Sequence, residues 1–337
     1  GTDLAKNVFQ ACGLNEHMKS QLNKMLKRHE LLDFMRQQAP TMVVMEACYS
    51  SHYWGREMAK LGHDVKLIPA QHVTPFVRGN KNDHNDSFAI TEASQRPYIR
   101  FVPIKTEHQQ EICCLHRIRE RLGKNKVALS NQSRGLLSEF GVVFPCGHAA
   151  FLHGLTSIID NPQYSHRLQD MVIDMLSEYK TTINRLKRIE KQLTEFVDGC
   201  ESGRILLSIP GIGVINASAF LASIDKGQAF SSSKECAVWL GLTPKQHASG
   251  NISKMGGITK RGDRYLRKQL IHGARALVSR APKSSDPLAL WAMKLRVTKP
   301  FNKVAVAMAH RLARLIWVLL TRQEHYRAMP ASLEVSA

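Results

Sequence analysis

The chain has 337 residues, 43% of them hydrophobic, and a formal net charge of +19. That length exceeds what one core supports, so at least two domains are expected. With no run of about 18 uncharged apolar residues, no membrane span is expected, and a chain this basic is expected to meet a polyanion, most often nucleic acid.

The charge is unevenly spread: from Gly241 onward there are 18 Lys and Arg against four acids, Asp263, Asp286, Glu324 and Glu334. The seven cysteines form no CxxC pair, and an odd number excludes a complete disulfide framework. Reduced thiols and a cytoplasmic, nucleoid-associated location are expected. GTDLAKNVFQ carries no secretory signal and reads as a start that has lost some residues ahead of Asp3.

In chain order, KMLKRHELLDFMRQQAP reads as an amphipathic helix closed by Pro40, TMVVMEA (41–47) as a buried strand, SHYWGREMAKLG (51–62) as a helix stopped by glycine, and DVKLIPA (64–70) as a second strand. DSFAITEASQRP (86–97) continues as a helix and IRFVPI (99–104) as a strand. Such alternation predicts an α/β layer with a partly parallel sheet, placed at 1–105. From Thr106 the period becomes helical up to Gly141. A Gly/Pro/Phe-rich loop follows, then a second long helix from about Ser165 to Phe196, so 106–200 is expected to form an antiparallel helical or coiled-coil arm. The remainder, 201–337, is expected to be a smaller, mainly helical domain.

Acids stand where these elements end. Asp3 falls in the first strand pattern, Glu46 ends TMVVMEA, and Asp83 and Asp86 are three apart in NKNDHNDSFAI, one face of a helix if one begins there. Open α/β sheets place ligands beyond the carboxyl ends of their strands. Four carboxylates in one cleft repel unless cations neutralise them, and Mg²⁺ suits an all-oxygen site. Taken singly, Asp83 and Asp86 also suit helix capping; an acid inside the apolar run VVMEA needs a partner.

In the C-terminal half, SIPGIGVINASAFLASI sets a glycine turn between two helical patterns, the form of a helix–hairpin–helix element. Gly211 and Gly213 are its candidate phosphate-binding backbone positions. KQHASGNISKMGGITKRGD reads as a polar, basic loop, followed by a helix at RYLRKQLIHGARALV. Lys254, Lys260, Arg261, Arg264, Arg267 and Lys268 are candidate phosphate contacts. A hydroxyl here is a candidate nucleophile if activated; Ser249, Ser253 and Thr259 all qualify, and spacing does not choose between them.

GTDLAKN, VVMEACYSSHYW and NKNDHNDSFAI resemble the N-terminal DEDD motifs of the insertion sequence 110/1111 transposases, which include the Piv-type invertases. The likeness runs in order over essentially the whole chain. It implies a RuvC-like, RNase H-type first domain with Asp3, Glu46, Asp83 and Asp86 as its metal-binding acids. GLTPKQHASGN resembles the family segment in which a serine before glycine is the nucleophile, which implies Ser249. The position of Thr259 is then left a structural or DNA-contacting role. The resemblance further implies Mg²⁺-dependent cutting of target and donor DNA through a 5′-phosphoserine, a bridge or seek guide RNA, and a homo-oligomer, dimer or tetramer. The competing reading is a metal-dependent junction resolvase or nuclease that uses water, which leaves no protein–DNA adduct.

Overall fold

A computed structural model of the chain describes residues 1–15, 17, 19–77, 83–97, 99–249 and 252–328. It contains two compact units, one of residues 1–108 with 227–231 and the other of residues 109–226 with 232–337.

The first unit is built on five strands, β1 (Thr2–Leu4), β2 (Val8–Leu14), β3 (Ser20–Lys27), β4 (Met42–Glu46) and β5 (Asp64–Ile68), with helices α1 (Leu31–Arg36), α2 (Ser51–Lys60), α3 (Ala70–Val73) and α4 (Asp83–Ser94). The sheet order is β3-β2-β1-β4-β5. β1, β2 and β3 are antiparallel neighbours, while β4 runs parallel to both β1 and β5. This mixed sheet is compatible with a RuvC-like domain.

Strand alternation sorts the side chains of β4 between two cores. Val43 and Met45 join Leu4, Phe9, Ala11, Leu31, Trp54 and Met58 on the α1/α2 face. Val44 joins Ile68, Val73, Ala89, Ile90 and Ala93 on the α3/α4 face. Each aliphatic side chain buried this way contributes about 1.5–3 kcal/mol.

Several expected elements differ. Residues 24–27 belong to β3 and only Leu31–Arg36 is helical, because Leu26 is buried on the sheet while its neighbours in β3 are exposed or half-buried. IRFVPI forms no strand; Val102 makes one isolated bridge to Leu67, and Pro97 and Pro103 on either side lack the N–H a ladder needs.

In the second unit, α5 (Glu107–Ser138) and α7 (His166–Asp198) pack antiparallel. Ile112 and Leu122 near the start of α5 meet Ile189 and Leu193 near the end of α7. At the far end Leu137 meets Leu168, Val172 and Leu176. The segment expected as a loop between them contains α6 (His148–Ile159), whose Phe151, Leu155 and Ile158 close that distal core.

The rest comprises α8 (Glu201–Leu207), α9 (Val214–Ile224), α10 (Ser233–Trp239), the hairpin β6 (Pro244–Ser249) and β7 (Ile252–Ile258), α11 (Arg264–Arg280), α12 (Pro287–Arg296) and α13 (Phe301–Arg322). By length and composition α13 is apolar enough to cross a membrane, which the sequence reading did not anticipate. Half of that stretch is buried within the protein. Its stripe of Val304, Met308, Leu312, Ile316 and Leu320 lies at core-helix spacing, and α13 packs on α10 and α11.

Candidate nucleic-acid cleavage site

Asp3 and Glu46 stand on neighbouring parallel strands. Thr2 is in register with Met45, so Asp3 and Glu46, one residue on, are side by side at the carboxyl ends of β1 and β4. Val44 packs against α4, and Glu46, two residues later, faces the same side. Leu4 and Met45 belong to the opposite core, which leaves Asp3 on the α4 side as well. Both acids are half-buried.

Helix α4 packs on β1, β2 and β4. Its Ile90 and Ala93 face the sheet, and positions 83 and 86 continue that stripe at helical spacing toward its N-terminus. Asp86 is half-buried, and the Asp83 side chain lies outside the described residues. Asp3 and Glu46 thus face the side of the sheet on which α4, the helix that carries Asp83 and Asp86, is packed. Among the described residues, no three His, Cys, Asp or Glu side chains are gathered closely enough to hold a metal ion.

Cys48, two residues after Glu46, senses this charge. Burial, then the carboxylates of Glu46 and Asp3, push its thiol up to about 11. Two acids on different strands thus act on one point. Just beyond, Ser50 adopts a left-handed conformation (φ 67°) at the N-terminus of α2, a costly backbone state for a non-glycine residue.

The segment expected as a basic loop is a two-stranded ribbon. β6 and β7 pair His247 with Lys254, Ala248 with Ser253 and Ser249 with Ile252. Ser249 is the last residue of β6. The side chains of 248–253, and residues 250 and 251 altogether, lie outside the described residues. Lys245, Gln246, His247, Lys254 and Met255 are all exposed, so neither face of the ribbon is covered along these positions.

At its root the ribbon is locked. Thr259 N–H donates to Thr243 O at 2.8 Å and Lys260 N–H to Gly241 O at 3.0 Å. Gly241 (φ 67°) and Gly262 (φ 78°) are left-handed. A Cβ on Gly241 would strike the backbone of Arg261, and one on Gly262 the carbonyl of Trp239.

The expected phosphate contacts divide into two groups. Lys254, Lys260, Arg261 and Arg264 are exposed. Arg267 is buried, and its guanidinium donates to Leu240 O at 2.9 Å and Arg261 O at 3.0 Å, tying α11 to the ribbon's root. Lys268 donates to Glu120 Oε1 at 2.5 Å and holds that carboxyl below its usual range. Thr259 is half-buried at the root.

The IPGIG turn joins α8 to α9. Gly211 (φ 84°) is pressed against Gly273 of α11, where a Cβ would meet that residue's carbonyl. Gly213 is exposed with open space around it, at the uncapped N-terminus of α9.

The sequence reading missed a buried polar chain linking α5, α9 and α11. Ser218 Oγ donates to Val214 O at 2.6 Å and lies 3.1 Å from His116 Nε2, while Tyr265 Oη lies 2.8 Å from His116 Nδ1. With the serine proton committed to the carbonyl, the consistent tautomer has Nε2–H donating to Ser218 and Nδ1 accepting from Tyr265. Burial, then Arg119 and Arg117, lower the His116 imidazole to about 4.

A mixed sheet with acids at its carboxyl edge, followed by a basic helical region, is compatible with a DEDD-type transposase. The model of the IS110-type DEDD transposase domain matches residues 1–142, and that of the Transposase IS116/IS110/IS902 family matches residues 203–288. Among relatives, a probable family 20 transposase of Pseudomonas aeruginosa is 42% identical, covering 97% of this chain and 98% of its own. The transposase of insertion sequence element IS1111A from Coxiella burnetii is 37% identical over 97% of this chain and 90% of its own, and that of IS1328 from Yersinia enterocolitica is 36% identical over 96% of each. The chain belongs to the IS116/IS110/IS902 family of transposases.

Proposed function

We propose that this transposase cuts and rejoins DNA with Ser249 as nucleophile and Asp3, Glu46, Asp83 and Asp86 as a divalent-cation site. The observation that carries the reading is the placement of Asp3 and Glu46, side by side on parallel strands and facing the side on which α4 packs. The donors are all carboxylate, which suits a hard cation such as Mg²⁺. When bound, that cation supplies charge neutralisation and Lewis acidity toward the phosphate. Asp3 and Glu46 hold their positions through the sheet, and Asp83 and Asp86 through α4.

A serine hydroxyl is a weak nucleophile, so attack needs proton removal and stabilised phosphoryl charge. Lys254, Lys260, Arg261 and Arg264 are exposed cations on and beside the ribbon that ends at Ser249 and would supply part of that stabilisation. A 5′-phosphoserine linkage retains the phosphoester bond, so strands rejoin without an external energy source. Selection of target and donor DNA by a guide RNA, and action as a dimer or tetramer, follow from the family resemblance; the net charge of +19 suits both nucleic acids.

The test is denaturing electrophoresis of the protein with labelled DNA, followed by mapping of the modified peptide. The wild-type protein should form an adduct at Ser249, and Ser249→Ala should bind DNA yet form none. An adduct that persists in Ser249→Ala, or maps to Ser253 or Thr259, overturns the nucleophile. DNA cut without any adduct replaces the reading with hydrolysis by water.

A further inference from the structure

The ribbon's register places a group that the sequence, read as a loop, had left without a role. His247 is exposed on β6 and directly opposite Lys254. Ser249 is two residues further along the same strand, and a period of two puts positions 247 and 249 on the same face, about 6.5–7 Å apart along the strand. Residues directly opposite share a face, so Lys254 joins them. Lys245, two residues before His247, lies within the register shift between Pro244 and Gln246. The alternate face holds Gln246 and Met255.

We propose that His247 is the proton acceptor for Ser249. The inference rests on Ser249 being the nucleophile. Three observations carry it: the shared face, the two-residue spacing, and the exposure that leaves the imidazole free to turn toward its strand neighbour. Of the side chains at 245, 247 and 254, only an imidazole both takes and returns a proton near neutrality. Among the described residues of the ribbon, the charged group opposite it is Lys254 from β7, and Lys245 flanks it on its own strand.

In the step, the Ser249 Oγ–H proton passes to His247 as the Oγ–P bond forms and the P–O3′ bond breaks. The 3′ oxygen leaves and is protonated by solvent, to which the imidazolium returns its proton. On rejoining, the 3′-hydroxyl attacks phosphorus and its proton passes to solvent, the Oγ–P bond breaks, and Ser249 regains a proton from His247, which solvent has protonated again.

The experiment measures the rate of adduct formation by the full-length protein, with its co-purified nucleic acid, on labelled DNA across pH. His247→Gln should slow it by about 10²–10⁴-fold, the usual worth of a positioned general base, with DNA binding retained. The wild-type rate should climb with pH through the imidazole range, and that limb should vanish in His247→Gln. His247→Lys, which keeps a cation but no neutral acceptor at neutral pH, should not restore the rate. A wild-type adduct at Ser249 with His247→Gln within a few-fold of it overturns the base and leaves the nucleophile standing. Recovery by His247→Lys also overturns it, making position 247 a phosphate-holding cation. Absence of any wild-type adduct removes nucleophile and base together.

Discussion

Asp3 and Glu46 stand on strands packed on both faces, by α1 and α2 on one side and α3 and α4 on the other. The β6–β7 ribbon has exposed side chains on both of its faces and is fastened at its root. The acids are therefore placed by a core, and the ribbon by a few backbone contacts and one guanidinium. Neighbouring carboxylates that repel one another need a rigid frame, whereas a two-stranded ribbon with exposed side chains on both faces is marginal alone.

The contrast breaks most visibly at the acids. Glu46→Ala and Asp86→Ala should each lower strand cutting by about 10²–10³-fold or more, the scale for losing transition-state charge stabilisation, with unchanged thermal unfolding and nucleic-acid binding. Normal cutting by both variants in a gel assay would dissolve the shared site.

At the ribbon the effect should fall on stability instead. Arg267→Ala removes two charge-assisted hydrogen bonds from a buried site, a cost of about 3 kcal/mol or more. It should lower the unfolding midpoint and open 243–262 to protease. The exposed Arg264→Ala should leave the midpoint unchanged. Equal melting curves for the two variants would show that the root is held by other contacts.

A third difference is in pH. His116 is lowered to about 4 in the folded state against the ordinary 6.5, so the unfolded chain binds the extra proton between those values. The contribution is full above pH 6.5 and is lost as pH falls toward 4, on the order of 3 kcal/mol in all. His116→Gln should flatten that part of the stability–pH curve, measured by chemical denaturation. The smallest effect is expected from Lys254→Ala, which should reduce the slope of log affinity against log salt by about one and leave sequence choice untouched.

Where apolar periodicity is strong, the sequence was a good guide. β4, α2, β5, α5 and α7 lie close to the spans read from it, and the IPGIG turn does sit between two helices. Residues 24–27 of β3 were mistaken for helix because Leu26, Leu31 and Met35 recur at nearly helical steps while SQLNKMLK exposes most of its residues at an edge. β6 and β7 were illegible for a related reason: with both faces exposed along the described positions, no alternation of apolar residues marks them as strands. That cost the reading of His247, whose relation to Ser249 exists only in a strand. For Asp3 and Glu46 the place in the strand pattern was readable, but the face each occupies required the register of β1 with β4. Arg267 looked like one more phosphate contact among similar cations, since its burial depends on the fold of Gly241 and Gly262.

The crossing of Gly211 over Gly273 carries a consequence for variation in this chain. Each glycine leaves room for the other's backbone, and Asn216 Nδ2 fills much of what remains beside Gly273. A side chain added at either position would force the IPGIG turn and α11 apart, so the second addition would meet a gap the first had already opened. The two costs should be less than additive, and the pair would then drift together or not at all. Substitution at one of these positions should track the identity of the other across a library of functional variants.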